Sequence, residues 1–200
     1  MAKVALVQPV EADKKEYSGH LGISYLSSFL KKMSHEVLVA DVSMDGYITG
    51  PINSFAPDFV GITIWDGTTK KVGEIISVLR ASNPETKYII GGPEVTLDTQ
   101  EALIATEADF GVVGGGIPTI EHIIQGDLNQ VGIAHLENGK LVSQGRARYN
   151  VEQWMVDVTT IPDERKGNYT TIRSIGCDYG QCDFCRLGLM FPDIETRPVD

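Results

Sequence analysis

Cysteine is scarce in this chain: there are three among 200 residues, and all fall inside the ten-residue stretch Gly176-Cys177-Asp178-Tyr179-Gly180-Gln181-Cys182-Asp183-Phe184-Cys185. An odd number so tightly spaced, with no fourth to pair the last, argues against a disulfide framework and for a metal or iron–sulfur site. Positive charge is also short, with 17 Lys and Arg against 27 Asp and Glu for a formal charge of −10. That balance argues against a nucleic-acid backbone or an anionic membrane as the main partner, and for a small molecule or a protein. No apolar run reaches about 18 residues, and Met1-Ala2-Lys3 does not open a leader, so neither a membrane span nor a secretion signal is read. A cytoplasmic location follows as an expectation, with the thiols kept reduced. Internal repeats and low-complexity segments are lacking. So are a Gly-x-Gly-x-x-Gly turn after the first strand and a Gly-x-x-x-x-Gly-Lys loop, which removes the usual warrant for a dinucleotide or a nucleoside triphosphate.

What is there is a regular alternation of elements. The apolar run 3–9 is followed by a polar stretch and then by Leu21, Tyr25, Leu26, Phe29, Leu30 and Met33 at helical spacing, which reads as strand, loop, helix. The runs 36–41 and 59–64 predict two more strands, separated by a turn-rich connection that holds Gly46, Gly50, Pro51 and Pro57. Val72, Ile75, Ile76 and Leu79 mark a one-faced helix that Asn83-Pro84 stops. A strand at 87–90, a helix over 96–106, a strand at 109–113 and a helix over 118–124 complete the series, with Pro118 suited to a first helical turn. Nearly continuous apolar strands alternating with helices predict an α/β chain built on a doubly wound, Rossmann-like, five-stranded parallel sheet buried on both faces. Glu137-Asn138-Gly139 between two short apolar runs predicts an appended hairpin. The expected division is a first domain at 1–148, a linker at 149–168, and a further strand from Tyr169 to Ile175 that opens a second domain at 169–200 and delivers the cysteines.

In such a sheet ligands sit at the carboxyl ends of the strands. Glycines occur at three of these ends: Gly61, Gly91-Gly92, and Gly114-Gly115-Gly116. Each alone reads as a tight turn; three neighbouring ends together point to a ligand that approaches the backbone closely. The segments Leu21-Gly22-Ile23-Ser24-Tyr25-Leu26, Pro57-Asp58-Phe59-Val60-Gly61-Ile62-Thr63 and Ile89-Ile90-Gly91-Gly92-Pro93-Glu94 resemble the cobalamin-binding domain found before the catalytic domain of many radical S-adenosylmethionine (radical SAM) enzymes. The resemblance covers residues 1–125, and the cysteine stretch with Arg173-Ser174-Ile175-Gly176 resembles the opening of the radical SAM domain. It implies a cobalamin on the carboxyl edge of the sheet, contacted at Gly22, Thr63, Gly91, Gly92, Gly114 and Gly116. In mutase-type cobalamin domains a histidine three residues before a glycine ligates cobalt, with an aspartate two before it. Here Gly19 and Tyr17 hold those places and His20 is displaced by one, so no lower histidine ligand is expected. His35, His122 and His135 are read as structural.

The resemblance also implies that Cys177, Cys182 and Cys185 hold a [4Fe–4S] cluster whose open iron binds S-adenosylmethionine. Two departures from the family's pattern bear on these expectations. The Gly-Glu-Gly-Glu turn after the fifth strand is Gly114-Gly115-Gly116-Ile117 here, which weakens the polar contacts inherited for that turn, and four residues, where three are usual, separate Cys177 from Cys182. Zinc and free thiols stay open, since Cys-x2-Cys also serves zinc but no fourth ligand lies near except Asp178 or Asp183. A closed β/α barrel takes about 250 residues, so the chain is expected to be the cobalamin-binding part and the truncated barrel start of a longer enzyme, one that transfers a methyl group or cyclises or rearranges an unidentified substrate. The alternatives are a non-enzymatic cobalamin carrier or sensor with a degenerate cysteine site, and a domain of this kind that binds no cobalamin. Trp65, bulky at a strand end, keeps the last one open.

Overall fold

The computed structural model describes residues 1–10, 21–43, 49–153 and 172–197. Five strands run parallel: β1 Lys3–Val10, β2 Glu36–Ser43, β3 Phe59–Thr63, β4 Lys87–Gly91 and β5 Phe110–Val112. Two more, β6 Ile133–Glu137 and β7 Lys140–Ser143, extend the sheet antiparallel beyond β5. The order is β2-β1-β3-β4-β5-β6-β7. The chain thus steps outward from β1 to β2, returns to the other side of β1, and proceeds from there. The reversal opens a crevice between the carboxyl ends of β1 and β3.

Strand β1 explains why an unbroken apolar run suits this place. Val4 and Leu6 face one side, against Ile23 and Leu30 of α1 (Leu21–Lys32) and Ile120 and Ile123 of α6 (Thr119–Gln125). Ala5 and Val7 face the other, in the core with Ile75, Ile76 and Leu79 of α3 (Thr69–Ser82) and Leu103 of α5 (Thr99–Thr106). Successive side chains alternate between faces, and both faces are dry, so each of positions 4–7 is apolar. Each Val or Leu among them contributes about 1.5–3 kcal/mol by leaving water.

The helices follow local chemistry. In α3 the stripe Val72, Ile75, Ile76 and Leu79 is buried, and Asn83 closes the helix with its backbone N–H on Leu79 O at 2.8 Å before Pro84. Two differences from the expected pattern have local causes. The connection before β3 contains a short helix, α2 (Gly50–Phe55), because Pro51 suits a first turn and Ile52 is fully buried. The helix expected over 96–106 is two, α4 (Pro93–Leu97) and α5, broken at Asp98 with φ −131° and ψ 56°. The Asn138-Gly139 turn is as expected, with φ values of 52° and 76° that match a type I′ hairpin.

After β7 the chain returns to the main sheet. Ala147 forms an isolated bridge with Gly114, and Val151 in a short 3-10 turn (Val151–Gln153) is buried. Val151 falls in the expected linker, whereas Ala147 still belongs to the expected first domain; residues 154–171, including the start of the strand expected at 169–175, lie outside the described residues. Beyond them β8 (Ser174–Ile175) pairs antiparallel with β9 (Glu195–Thr196), flanking α7 (Leu187–Met190) and the cysteines. Among the described residues no helix is long and apolar enough to cross a membrane.

Candidate functional site: a glycine-floored cavity at the switch point

Beside this switch point, over Leu6 of β1 and the carboxyl ends of β3, β4 and β5, lies a cavity of about 540 Å³. All six residues expected to contact a ligand, Gly22, Thr63, Gly91, Gly92, Gly114 and Gly116, line it. They arrive from different elements: Gly22 in the first turn of α1, Thr63 and Gly91 as the last residues of β3 and β4, and the others from the turns after β4 and β5.

Two of these glycines have no substitute. Gly92 has φ 104°, and a Cβ there would stand 2.8 Å from Ile64 O and 2.8 Å from Thr63 Oγ1. Gly114 has φ 88°, and its Cβ would collide with the Ala147 carbonyl. Gly91 is different: a Cβ meets only Val112, at 3.6 Å, so what its absence leaves open is cavity.

Thr96 in α4 holds the two glycine turns together. Its hydroxyl donates to Gly92 O at 3.0 Å and accepts from the Gly114 N–H at 3.0 Å. Tyr149 hydrogen-bonds to the same side chain. Burial pushes the Tyr149 phenol up, against the pull of Thr96 and of the nearby Arg146 charge.

The far wall comes from the end of the chain. Ile172, Met190 and Phe191 line the cavity together with Tyr149. The Tyr149 and Phe191 rings lie 4.7 Å apart. The Ile172 N–H donates to the hydroxyl of the buried Tyr25 in α1 at 3.0 Å, and Arg146 donates to Leu189 O and, at 3.4 Å, to Thr96 O. Among the described lining residues none carries a charged side chain, and Thr63, Tyr25, Tyr149 and the indole N–H of Trp65 supply the side-chain polar groups. Such a cavity accepts a neutral, largely apolar group. Trp65 stands at the cavity, 40% exposed.

The B12 binding domain family matches residues 13–124. The chain belongs to the B12-binding domain family. Solved structures share the fold of this B12-binding domain at low identity. The cobalamin-dependent S-adenosylmethionine radical enzyme OxsB, with aqua-cobalamin bound, superposes with TM-score 0.73 at 19% identity over 92% of this chain and 28% of that one. The radical S-adenosylmethionine methyltransferase TsrM of Kitasatospora setae, with cobalamin and a [4Fe–4S] cluster bound, gives 0.59 at 18% over 72% and 29%. A cobalamin-binding protein of Desulfitobacterium hafniense gives 0.50 at 19% over 62% and 58%. The chain thus spans less than a third of the length of the two enzymes. No curated protein matches it by sequence.

The cysteines lie elsewhere. Cys177 and Cys185 are exposed and Cys182 is half-buried, all as free thiols. Among the described residues no group of three or more His, Cys, Asp or Glu side chains is gathered closely enough to hold a metal ion. The donor chemistry therefore suits a cluster but this arrangement does not.

The histidine positions divide. Tyr17, Gly19 and His20 lie outside the described residues. His35 accepts from the Ala2 N–H at Nδ1 (3.1 Å), so its Nε2–H donates to Glu121 at 2.8 Å, tying the strand edge to α6. His135 lies 3.2 Å from Glu137 in the hairpin. Sequence reasoning missed Tyr149, Ile172, Met190 and Phe191. They sit after the last parallel strand in segments without a period, where only a three-dimensional return could enlist them.

Proposed function

We propose that this B12-binding domain holds a cobalamin on the carboxyl edge of its sheet, and that it does so within a longer cobalamin-dependent radical SAM enzyme. The observation that carries the reading is the cavity at the carboxyl ends of β3, β4 and β5, beside the switch point, floored by Gly91 and Gly92 and free of charged side chains among its described lining residues. The neutral nucleotide base of the cofactor's tail suits such a cavity, and the glycines let it lie against the backbone. Gly22, Thr63, Gly91, Gly92, Gly114 and Gly116 would hold it. When bound, cobalamin would supply a methyl group carrier or tune a radical step. This chain's own residues orient it: Thr96 fixes the two glycine turns, and Tyr149 and Phe191 keep water from the far side.

Cys177, Cys182 and Cys185 would serve a cluster only after rearrangement, and methyl transfer, cyclisation or rearrangement of a substrate would belong to the longer enzyme. S-Adenosylmethionine and the substrate would be its partners. A second reading, a cobalamin carrier or sensor without radical chemistry, is favoured by one observation, that the three cysteines are not gathered as a metal-holding group among the described residues.

Titration with hydroxocobalamin, followed by its visible spectrum and by tryptophan fluorescence, tests the shared part. Binding at micromolar ligand is expected, and no spectral change at that level would remove cobalamin from the account. Gly91→Leu pushes a side chain into the cavity without a backbone collision and is expected to weaken binding at least about ten-fold, equivalent to about 1.4 kcal/mol. Anaerobic reconstitution of a longer chain separates the two readings: four-iron absorption with S-adenosylmethionine cleavage supports the enzyme, and cobalamin binding without either supports the carrier.

A further inference from the structure

We infer that Cys182 and Cys185 are a thiol–disulfide exchange pair: an external disulfide such as oxidised glutathione converts them to an intrachain Cys182–Cys185 bridge and leaves Cys177 as a free thiol. The arrangement of the backbone carries this. The Cys185 N–H donates to the Cys182 carbonyl at 3.0 Å, which closes a four-residue turn around Asp183 and Phe184. The ends of such a turn lie within about 7 Å of each other Cα to Cα, against the roughly 4.4–6.8 Å that a disulfide spans. Neither central residue has a positive φ, so the turn holds no strained residue for bridging to disturb. Cys177 stands apart, upstream of Gly180, whose φ of 56° redirects the chain between it and the turn.

Accessibility sets the order of events. Cys185 is exposed and Cys182 half-buried, and Phe184 between them is 89% exposed and turned away to solvent. The Cys185 thiolate attacks one sulfur of glutathione disulfide, forming a mixed disulfide and expelling one glutathione thiolate. The Cys182 thiolate then attacks the Cys185 sulfur, breaking the mixed bond and expelling the second. Two protein thiols lose two electrons and two protons, and one external disulfide is reduced to two thiols. The pair's chemistry is independent of cobalamin binding. If the three cysteines do serve a cluster in a longer enzyme, the bridge reversibly withdraws two of the three ligands.

The test uses the whole chain, stripped of metal with a chelator and reduced, then equilibrated with graded ratios of oxidised to reduced glutathione. Free thiols are capped with N-ethylmaleimide and peptides are mapped by mass. The expected result is loss of two of the three reactive thiols, with a Cys182–Cys185 peptide lighter by two hydrogens and the cap on Cys177. Because the turn is prearranged, bridging in the folded chain is expected at an oxidised-to-reduced ratio about ten-fold lower than in guanidinium. Cys177→Ser is expected to leave the bridge intact, whereas Cys182→Ser is expected to hold glutathione on Cys185. A bridge that uses Cys177, stable glutathione on all three cysteines, or equal midpoints in the folded and denatured chain would each overturn the inference.

Discussion

Thr96 carries more of the site than its type suggests, since one hydroxyl serves the Gly92 carbonyl, the Gly114 N–H and Tyr149. Thr96→Val keeps the shape and strands those groups in a buried place. It is expected to cost about 1–3 kcal/mol, read as a lower urea midpoint, and to weaken hydroxocobalamin binding because both glycine turns loosen. Tyr88 shows the opposite use of a hydroxyl. It is fully buried, and burial pushes its phenol up to about 12; the Arg80 guanidinium, 4.8 Å from the ring centre, lowers it in part and the Asp109 carboxylate adds to the rise. The folded value lies above the unfolded one, so the neutral phenol's contribution is complete below about pH 10 and is lost as pH climbs toward 12, a change of at most about 3 kcal/mol. Unfolding midpoints measured between about pH 9 and 12 are expected to fall more gently in Tyr88→Phe than in the parent.

Among the elements, α3 and α5 meet through a glycine. A Cβ on Gly73 would stand 2.6 Å from the Ala105 carbonyl oxygen, which is backbone and cannot step aside. Gly73→Ala, which by helix propensity alone would stabilise α3 by about 1 kcal/mol, is therefore expected to destabilise the fold by about 1–3 kcal/mol in denaturant titration. The same contrast marks how far the sequence could be read. Parallel strands, α3 and the Asn138-Gly139 hairpin were legible because periodicity and turn chemistry are local, and the glycine floor was legible because strand ends in this architecture converge. The split between α4 and α5 at Asp98 was hidden, since no glycine or proline marks the break. The wall from Tyr149 to Phe191 was hidden more deeply, because nothing in Ile172, Met190 or Phe191 says that a segment beyond the sheet folds back over it.

For the whole molecule, that wall ties the cysteine-bearing segment to the cavity. Arg146 reaches Leu189 O and Thr96 O, Arg186 stands 3.5 Å from Asp98, and the Tyr149 ring packs against Phe191 at a tilt of 50°. The exposed pair with Asp98 adds little, so the anchor is Arg146 with the apolar contacts. Arg146→Ala is expected to speed amide exchange at 187–191 by about ten-fold or more while leaving β1 and β4 protected. Hydrogen-exchange mass spectrometry reads both regions at once.

The bond between the Ile172 N–H and the Tyr25 hydroxyl joins residues 147 positions apart. Domains fold from the N-terminus during synthesis, so the half of the cavity built from β1, β3 and β4 is complete long before Met190 and Phe191 leave the ribosome. A nascent chain therefore offers an open cleft first and a walled one last, and a bulky cofactor arriving early meets no obstruction.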